Sequence, residues 1–270
     1  MKKVKISHEV PFCLLEKSRE FNDYDYCLPH LMDENEEYRN FFYESKKMGR
    51  YIVMDNSLHE LGEAYNTERL LHWVNEIKPN EFIVPDVWED KNASVRNAKQ
   101  WASIELPEGV MKVAVVQAKS VHEAMFCTVA YKDLGYKKIA YSYGASYYHD
   151  DLCPHPNQDL GKAIGRFIMI SYLYSQKILT KFDRVHLLGT ASPIEFGMYK
   201  NIECIESIDT SNPIMAAIEL QKYNNLGLSS KPKANMNDYQ DMQLKGGFWG
   251  EAFIEALNNN VKMFKQINGL

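Results

Sequence analysis

No stretch of this 270-residue chain approaches the roughly 20 consecutive apolar residues that a membrane-spanning helix needs, and the basic start MKKVKISHEV is not followed by an apolar segment. Neither membrane insertion nor export is expected. Cysteine is scarce: Cys13, Cys27, Cys127, Cys153 and Cys204 are scattered, odd in number and contain no CxxC pair. That argues against a disulfide framework and against a four-ligand zinc site, and it points to a reducing cytoplasm. No GxGxxG or GxxxxGK occurs, and Gly246-Gly247 before Phe248-Trp249-Gly250 lacks the spacing of a phosphate loop, so no nucleotide cofactor is expected. A basic excess is missing as well: the net charge is −5, which gives no general electrostatic reason to bind nucleic acid. The local clusters Lys46, Lys47, Arg50 and Lys231, Lys233, Lys245 read as mixed-charge solvated faces. Internal repeats and low-complexity linkers are also lacking.

What is present is enough apolar material for one core. The chain is 45% hydrophobic, with four Trp, 17 Tyr and 12 Phe, and residues 1–270 are read as a single domain, since single α/β barrels commonly run to about 250 residues. Short Val/Ile-rich runs recur, each ending in a polar residue or glycine. Tyr51 to Met54 leads to Asp55, Phe82 to Pro85 to Asp86, and Val113 to Val116 to Gln117. Ile139 to Tyr141 leads to Ser142 and Tyr143, Val185 to Leu188 to Gly189, and Ile205 to Ile208 to Asp209. Continuous apolar runs suit parallel strands covered on both faces. Helical segments lie between them, with starts at Thr67 and at the capping-box patterns Ser120-Val121-His122-Glu123 and Ser192-Pro193-Ile194-Glu195. With Val4-Lys5-Ile6 there are seven strand candidates, and Leu244 to Phe248 is the candidate for an eighth. The class is therefore α/β. An open doubly wound sheet would alternate in the same way, and strand count favours a (β/α)8 TIM-like barrel with insertions. Gly144 to Pro156 reads as an irregular loop above the barrel, of the kind that acts as a lid.

In parallel α/β folds the carboxyl ends of the strands converge on one face, so residues there are informative. The set is Asp55, Asp86, Gln117, Ser142, Tyr143, Gly189 and Asp209. Three carboxylates, an amide and hydroxyls can supply a nucleophile, a general acid/base and hydrogen bonds to a planar polar ligand. A lone aspartate after a strand is often only a turn former or cap. Asp209 is not needed for that, because Ser211 or Asn212 can cap the helix that follows. His149, Asp150, Asp151, Cys153 and His155 are metal-binding types, but their spacing matches no metal motif, and the cluster reads as a polar loop. His186, between Val185 and Leu187, reads as a hydrogen-bonded core histidine.

These strand ends resemble the tRNA-guanine transglycosylases, especially the shorter relatives, often encoded by bacteriophages, that insert 7-deazaguanines into DNA. His186-Leu187-Leu188-Gly189-Thr190-Ala191-Ser192-Pro193 is similar to the family's LMGVGTP, and Ile208-Asp209-Thr210-Ser211-Asn212-Pro213 to its FDCVxPT. Asp55-Asn56-Ser57 resembles DSGG, Asp86 matches the base-recognising aspartate, Val115-Val116-Gln117 resembles IVQG, and Ser142-Tyr143-Gly144 falls at the glycine-rich turn. The matches span roughly residues 50 to 215 in the same order. The family's CxCxxC zinc motif is missing after Asp209, so no zinc subdomain is expected, and the DSGG glycines are replaced by Asn56-Ser57.

The resemblance implies a pentosyltransferase that replaces guanine in DNA with a 7-deazaguanine of the preQ0 type, through a covalent aspartyl-nucleoside intermediate. Asp209 would be the nucleophile, Asp55 the general acid/base, and Asp86, Gln117, Ser142, Tyr143, Gly144 and Gly189 the base-binding residues. Trp88, Tyr143, Tyr147 and Tyr148 are available to stack on a flipped-out base. No metal or organic cofactor is implied. The partners would be DNA, ahead of tRNA, and the free 7-deazaguanine, in the host cytoplasm if the chain is phage-encoded. A homodimer stays open. The alternatives are a tRNA-directed enzyme, another carboxylate-based barrel glycosidase, and a non-catalytic nucleic-acid-binding partner subunit.

Overall fold

The apolar runs become strands that all point the same way. In the computed structural model, which describes residues 3–228, 231–244 and 246–270, eight parallel strands form one nearly closed barrel. They are β1 (Lys5–Ser7), β2 (Asp25–Cys27), β3 (Ile52–Met54), β4 (Glu81–Ile83), β5 (Met111–Val116), β6 (Lys138–Ser142), β7 (Val185–Leu188) and β8 (Ile205–Asp209). The ladder runs β1-β8-β7-β6-β5-β4-β3-β2, and β1 sets Ser7 opposite Asp209. This is the (β/α)8 architecture expected.

The eighth strand is not where the sequence suggested. It is β2, whose three residues are too few and too polar to stand out as an apolar run; of the Leu244 to Phe248 candidate, Lys245 lies outside the described residues and Phe248 opens a helix. Asp25 is tolerated inside the sheet because Arg50 clasps it, Nε donating at 2.8 Å to Oδ2 and Nη2 at 2.7 Å to Oδ1. Between β1 and β2 side chains supply the pairing. Asn22 Oδ1 accepts from His8 N at 2.7 Å, and Asn22 Nδ2 donates to His8 O at 2.9 Å. Asp23 N donates to Ile6 O at 2.8 Å while its Oδ2 accepts from Ile6 N at 3.0 Å.

The helices are α1 (Leu15–Ser18), α2 (Pro29–Glu34), α3 (Glu36–Lys47), α4 (Leu58–Leu61), α5 (Thr67–Ile77), α6 (Lys91–Ala102), α7 (Val121–Asp133), α8 (Gln158–Ser175), α9 (Asn212–Ile218) and α10 (Phe248–Asn268). Capping follows the short polar residues. Asn66, one residue before the expected start, caps α5, and Ser120 caps α7 by accepting from Glu123 N. Ser192 caps nothing: Glu195 is drawn instead into a buried ion pair with Arg166. Ser211 and Asn212 make no side-chain cap at α9, and Thr210 Oγ1 accepts from Asn212 N at 3.0 Å. Only a 3-10 turn, Glu195–Tyr199, joins β7 to β8, and α10 fills that gap. Asn268 binds Gly197 N and Pro193 O at 2.7 and 2.8 Å, and Phe264 meets Phe196 edge-on.

The core has two parts. One lies between strands and helices; the other, inside the barrel, contains Tyr24, Val53, Ile83, Val113, Val115 and Ala140. A polar layer adjoins the inner part: Lys138 donates to Glu81 at 2.7 and 2.9 Å, and Arg184 joins Glu81 to Glu206. No helix among the described residues is long and apolar enough to cross a membrane.

Candidate active site

The carboxyl ends of the strands open into a cavity of about 430 Å³, within the usual range for a ligand pocket. Asp55, Asp86, Gln117, Ser142, Tyr143, Gly189 and Asp209 all line it. Gly144 does not: it is buried beneath Trp88, and a Cβ there would come within 2.4 Å of the indole. Gly189, at φ +59, is required for a similar reason, since a Cβ would meet the Tyr143 ring at 2.5 Å. Glycine at these two positions lets Trp88 and Tyr143 lie close over the strand ends. Tyr147 and Tyr148, expected as stacking residues, are buried instead, with Tyr148 backbone packed on Gly165 of α8.

Asp209, the last residue of β8, is held by two neighbours on the β7 side. His186 Nε2 lies 2.9 Å from Oδ1, and Gly189 N approaches Oδ1 and Oδ2 at 3.4 and 3.3 Å. A bulge between Val185 and His186 sets this up by making Ser207, rather than Glu206, the partner of His186. The ends of β6 and β7 are fixed from behind. Arg166, fully buried, donates to the carbonyls of Tyr141, Leu188 and Gly189 at 3.0, 2.8 and 2.7 Å.

Asp55, just after β3, sits in different surroundings. Burial pushes its carboxyl up to about 7, opposed by the Asn56 backbone N–H and reinforced by the charges of Asp209 and Asp86. The Tyr26 hydroxyl favours the charged form of Asp55, against the burial, and its ring stacks on the His186 ring, 6.3 Å away and tilted by 18°. Two further carboxylates crowd the wall. Glu9 is pushed up to about 8 by burial and by Asp209 and Asp55, and Glu60 is raised by burial and by Asp55.

Asp86 lies deeper, 4% exposed. Asn56 Nδ2 donates to Oδ1 at 2.6 Å and Gln117 Nε2 to Oδ2 at 2.7 Å, which orients the carboxylate, while burial raises it to about 6. Gln117 Oε1 accepts from Glu89 N at 3.1 Å, leaving one amide hydrogen for a ligand.

The segment 231–237, between α9 and α10, crosses the mouth and lines the cavity. It is pinned at Ala234 N to Glu219 Oε1, 2.6 Å, and Asn237 Nδ2 to Glu60 O, 3.3 Å. Pro232 and Met236 are buried, while Lys231, Lys233, Asn235 and Asn237 are exposed. Lys231 and Lys233 are the cavity's lysines, and among the described residues neither is in an ion pair. Lys231 Nζ rests on Tyr143, 3.1 Å from its hydroxyl. Lys245 lies outside the described residues. In the other cluster Lys46 caps the Lys78 carbonyl, Lys47 pairs with Glu44 and Arg50 with Asp25.

Gly144 to Pro156 is not irregular throughout. It contains a π-helical turn, Tyr148–Leu152, packed against α8. Among the described residues no group of His, Cys, Asp or Glu has the arrangement of a metal site, and His149 is bound to Asp150 and the His155 carbonyl.

Sequence reasoning missed Tyr26, Glu9, Glu60 and Asn56. Tyr26 went with the unrecognised β2. Glu9 and Glu60 follow no apolar run directly, and Asn56 had only its place beside Asp55 to mark it. No family model matches the chain and no curated protein matches it, so the chemistry of the cavity is read from its residues. A (β/α)8 barrel with its polar cavity at the carboxyl ends of the strands is the common architecture of an enzyme.

Proposed function

We propose that this chain is a base-exchange transglycosylase that replaces guanine in DNA with a 7-deazaguanine. The observation that carries the reading is the pair Asp55 and Asp209: two carboxylates on one cavity in different surroundings, one raised to about 7 and one held by His186 and a backbone N–H. Environments that separate two carboxylates in this way assign acid and nucleophile roles.

In the first half-reaction an Asp209 oxygen attacks C1′ of the nucleotide. The C1′–N9 bond breaks, an ester forms, and protonated Asp55 gives its proton to the departing guanine. In the second, the incoming base returns its N9 proton to Asp55 as it attacks C1′, and Asp209 leaves as a carboxylate. The cycle closes without oxidant, metal or net proton change. Asp86, oriented by Asn56 and Gln117, would accept from the N1–H and 2-amino edge of the base. The remaining Gln117 hydrogen would donate to its carbonyl. A base in a duplex cannot reach this floor, so the nucleotide must be flipped or single-stranded, with Trp88 and Tyr143 at the rim to receive it. Lys231 and Lys233, neither in an ion pair among the described residues, stand at the same rim for backbone phosphates.

The test is incubation with labelled guanine and, separately, double-stranded DNA, single-stranded DNA and transfer RNA. Label entering DNA with wild type but not with Asp209→Ala supports the reading. Entry into transfer RNA alone would shift the substrate, and sugar or base release without incorporation would make the protein a barrel glycosidase.

A further inference from the structure

Asp209 stands at the end of a buried hydrogen-bonded chain that the exchange scheme does not use. Lys138 Nζ lies 2.7 Å from Ser207 Oγ, Ser207 Oγ lies 2.8 Å from His186 Nδ1, and His186 Nε2 lies 2.9 Å from Asp209 Oδ1. Lys138, Ser207 and His186 are each 1–3% exposed, so every hydrogen in the chain must find a protein acceptor. We infer that His186, set by Ser207 and Lys138, is the positioning residue of Asp209. It is an imidazole with its hydrogen on Nε2 that locks the carboxylate through Oδ1 and leaves Oδ2 to attack.

The direction of the chain follows from counting donors. Lys138 has only hydrogens to give, and it gives them to Glu81 and to Ser207 Oγ. The single Ser207 hydroxyl hydrogen is then directed at His186 Nδ1, which must accept. The ring hydrogen is therefore on Nε2, where Asp209 accepts it. The opposite tautomer would set the Nε2 lone pair against a carboxylate oxygen at 2.9 Å. An imidazolium would leave the Ser207 hydrogen buried without an acceptor. Tyr26 stacked on the ring holds its plane, and the bulge at His186 brings Ser207 rather than Glu206 into line. Among the described residues Oδ2 keeps only the Gly189 N–H contact, 3.3 Å, and is the oxygen open to C1′. The inference rests on the base-exchange reading only for what Asp209 does.

The test has an arm that does not depend on activity. Nitrogen-15 NMR of histidine-labelled wild type should show His186, identified by its loss in His186→Gln, with Nε2 protonated and Nδ1 bare; Ser207→Ala, which removes the donor to Nδ1, should shift the Nδ1 resonance toward that of an unbonded ring nitrogen. In exchange assays Ser207→Ala should lower kcat by about 10²-fold with KM within about twofold, the pattern of a carboxylate less well positioned behind correct binding. His186→Gln, whose amide N–H can reach Asp209, should keep about a tenth of the wild-type kcat, and His186→Phe less than a hundredth. Wild-type His186 protonated on Nδ1 or on both nitrogens would overturn the inference. So would His186→Phe or Ser207→Ala exchanging at the wild-type rate. Wild type that exchanges no base would end the base-exchange reading instead, and the NMR arm would still decide the tautomer. If His186→Phe does not fold, His186→Gln and Ser207→Ala carry the comparison.

Discussion

Asp55 is the group whose protonation the proposed cycle uses twice, once as acid and once as base. Burial is the largest cause of its rise to about 7, and it is faced by Asp209 on β8, Asp86 after β4, Tyr26 on β2, and Glu9 and Glu60, whose own carboxyls are raised in part by its charge. A single-turnover measurement separates the two roles. Release of guanine from DNA needs the protonated form and should fall as pH rises through about 7. Insertion of the second base into the preformed ester needs the anion and should rise over the same interval. Asp55→Asn should slow release by about 10²–10⁴-fold and abolish its pH dependence between 6 and 8. A wild-type release rate flat across that interval would remove Asp55 from the acid role. Asp55, Asp86, Gln117 and Asp209 were legible because each ends an apolar run. His186 was legible only as a core histidine, and it is one, buried and fully bonded. That its second nitrogen meets Asp209 depends on a bulge, and no sequence pattern marks a bulge here.

At the scale of elements, the sequence revealed those whose periodicity is their own and hid those made by their neighbours. The seven apolar strands and the starts of α5 and α7 follow from local pattern. The strand β2 exists because Arg50 neutralises Asp25 and because side chains of Asn22 and Asp23 complete the seam, all long-range facts. Glu195 looked like a capping residue, but Arg166, far along the chain, claims it. The segment 231–235 carried no signal at all except its lysines. With Pro232 buried between them, Lys231 and Lys233 are both exposed on the cavity rim, and two residues of chain span at most roughly 7 Å, within the phosphate spacing of a stretched single strand. Replacing each with Gln should lower the slope of log affinity for single-stranded DNA against log salt by about 0.7 per lysine. KM for the polymer should rise while kcat holds. Fluorescence anisotropy from 50 to 300 mM salt measures the slope, and an unchanged slope in the double variant would show that phosphates are bound elsewhere.

Over the whole molecule, the cavity is a place where stability is given up. Glu9, Asp55 and Asp86 are raised to about 8, about 7 and about 6, burial being the first cause in each case. In the unfolded chain such groups return to values near 4. The folded protein therefore binds more protons than the unfolded chain between about pH 4 and pH 8, and linkage requires stability to fall as pH rises through that window. The contribution is whole below pH 4 and lost above pH 8. Arg166 with Glu195, and Lys138 with Glu81, are buried charges, each compensated where it sits. Among the described residues Glu9, Asp55 and Asp86 have no such partners, only amides, hydroxyls and neighbouring carboxylates. Asp55→Asn, which keeps the shape and removes the charge, should therefore stabilise the protein by about 1–2 kcal/mol at pH 8 while changing stability little at pH 4.5. Urea unfolding at the two pH values measures the difference. A variant equally stabilised at both would mean that packing, not charge, is the cause, whereas the expected pH-dependent gain, together with slowed guanine release, would identify Asp55 as a group held at a cost to folding because the chemistry needs it there.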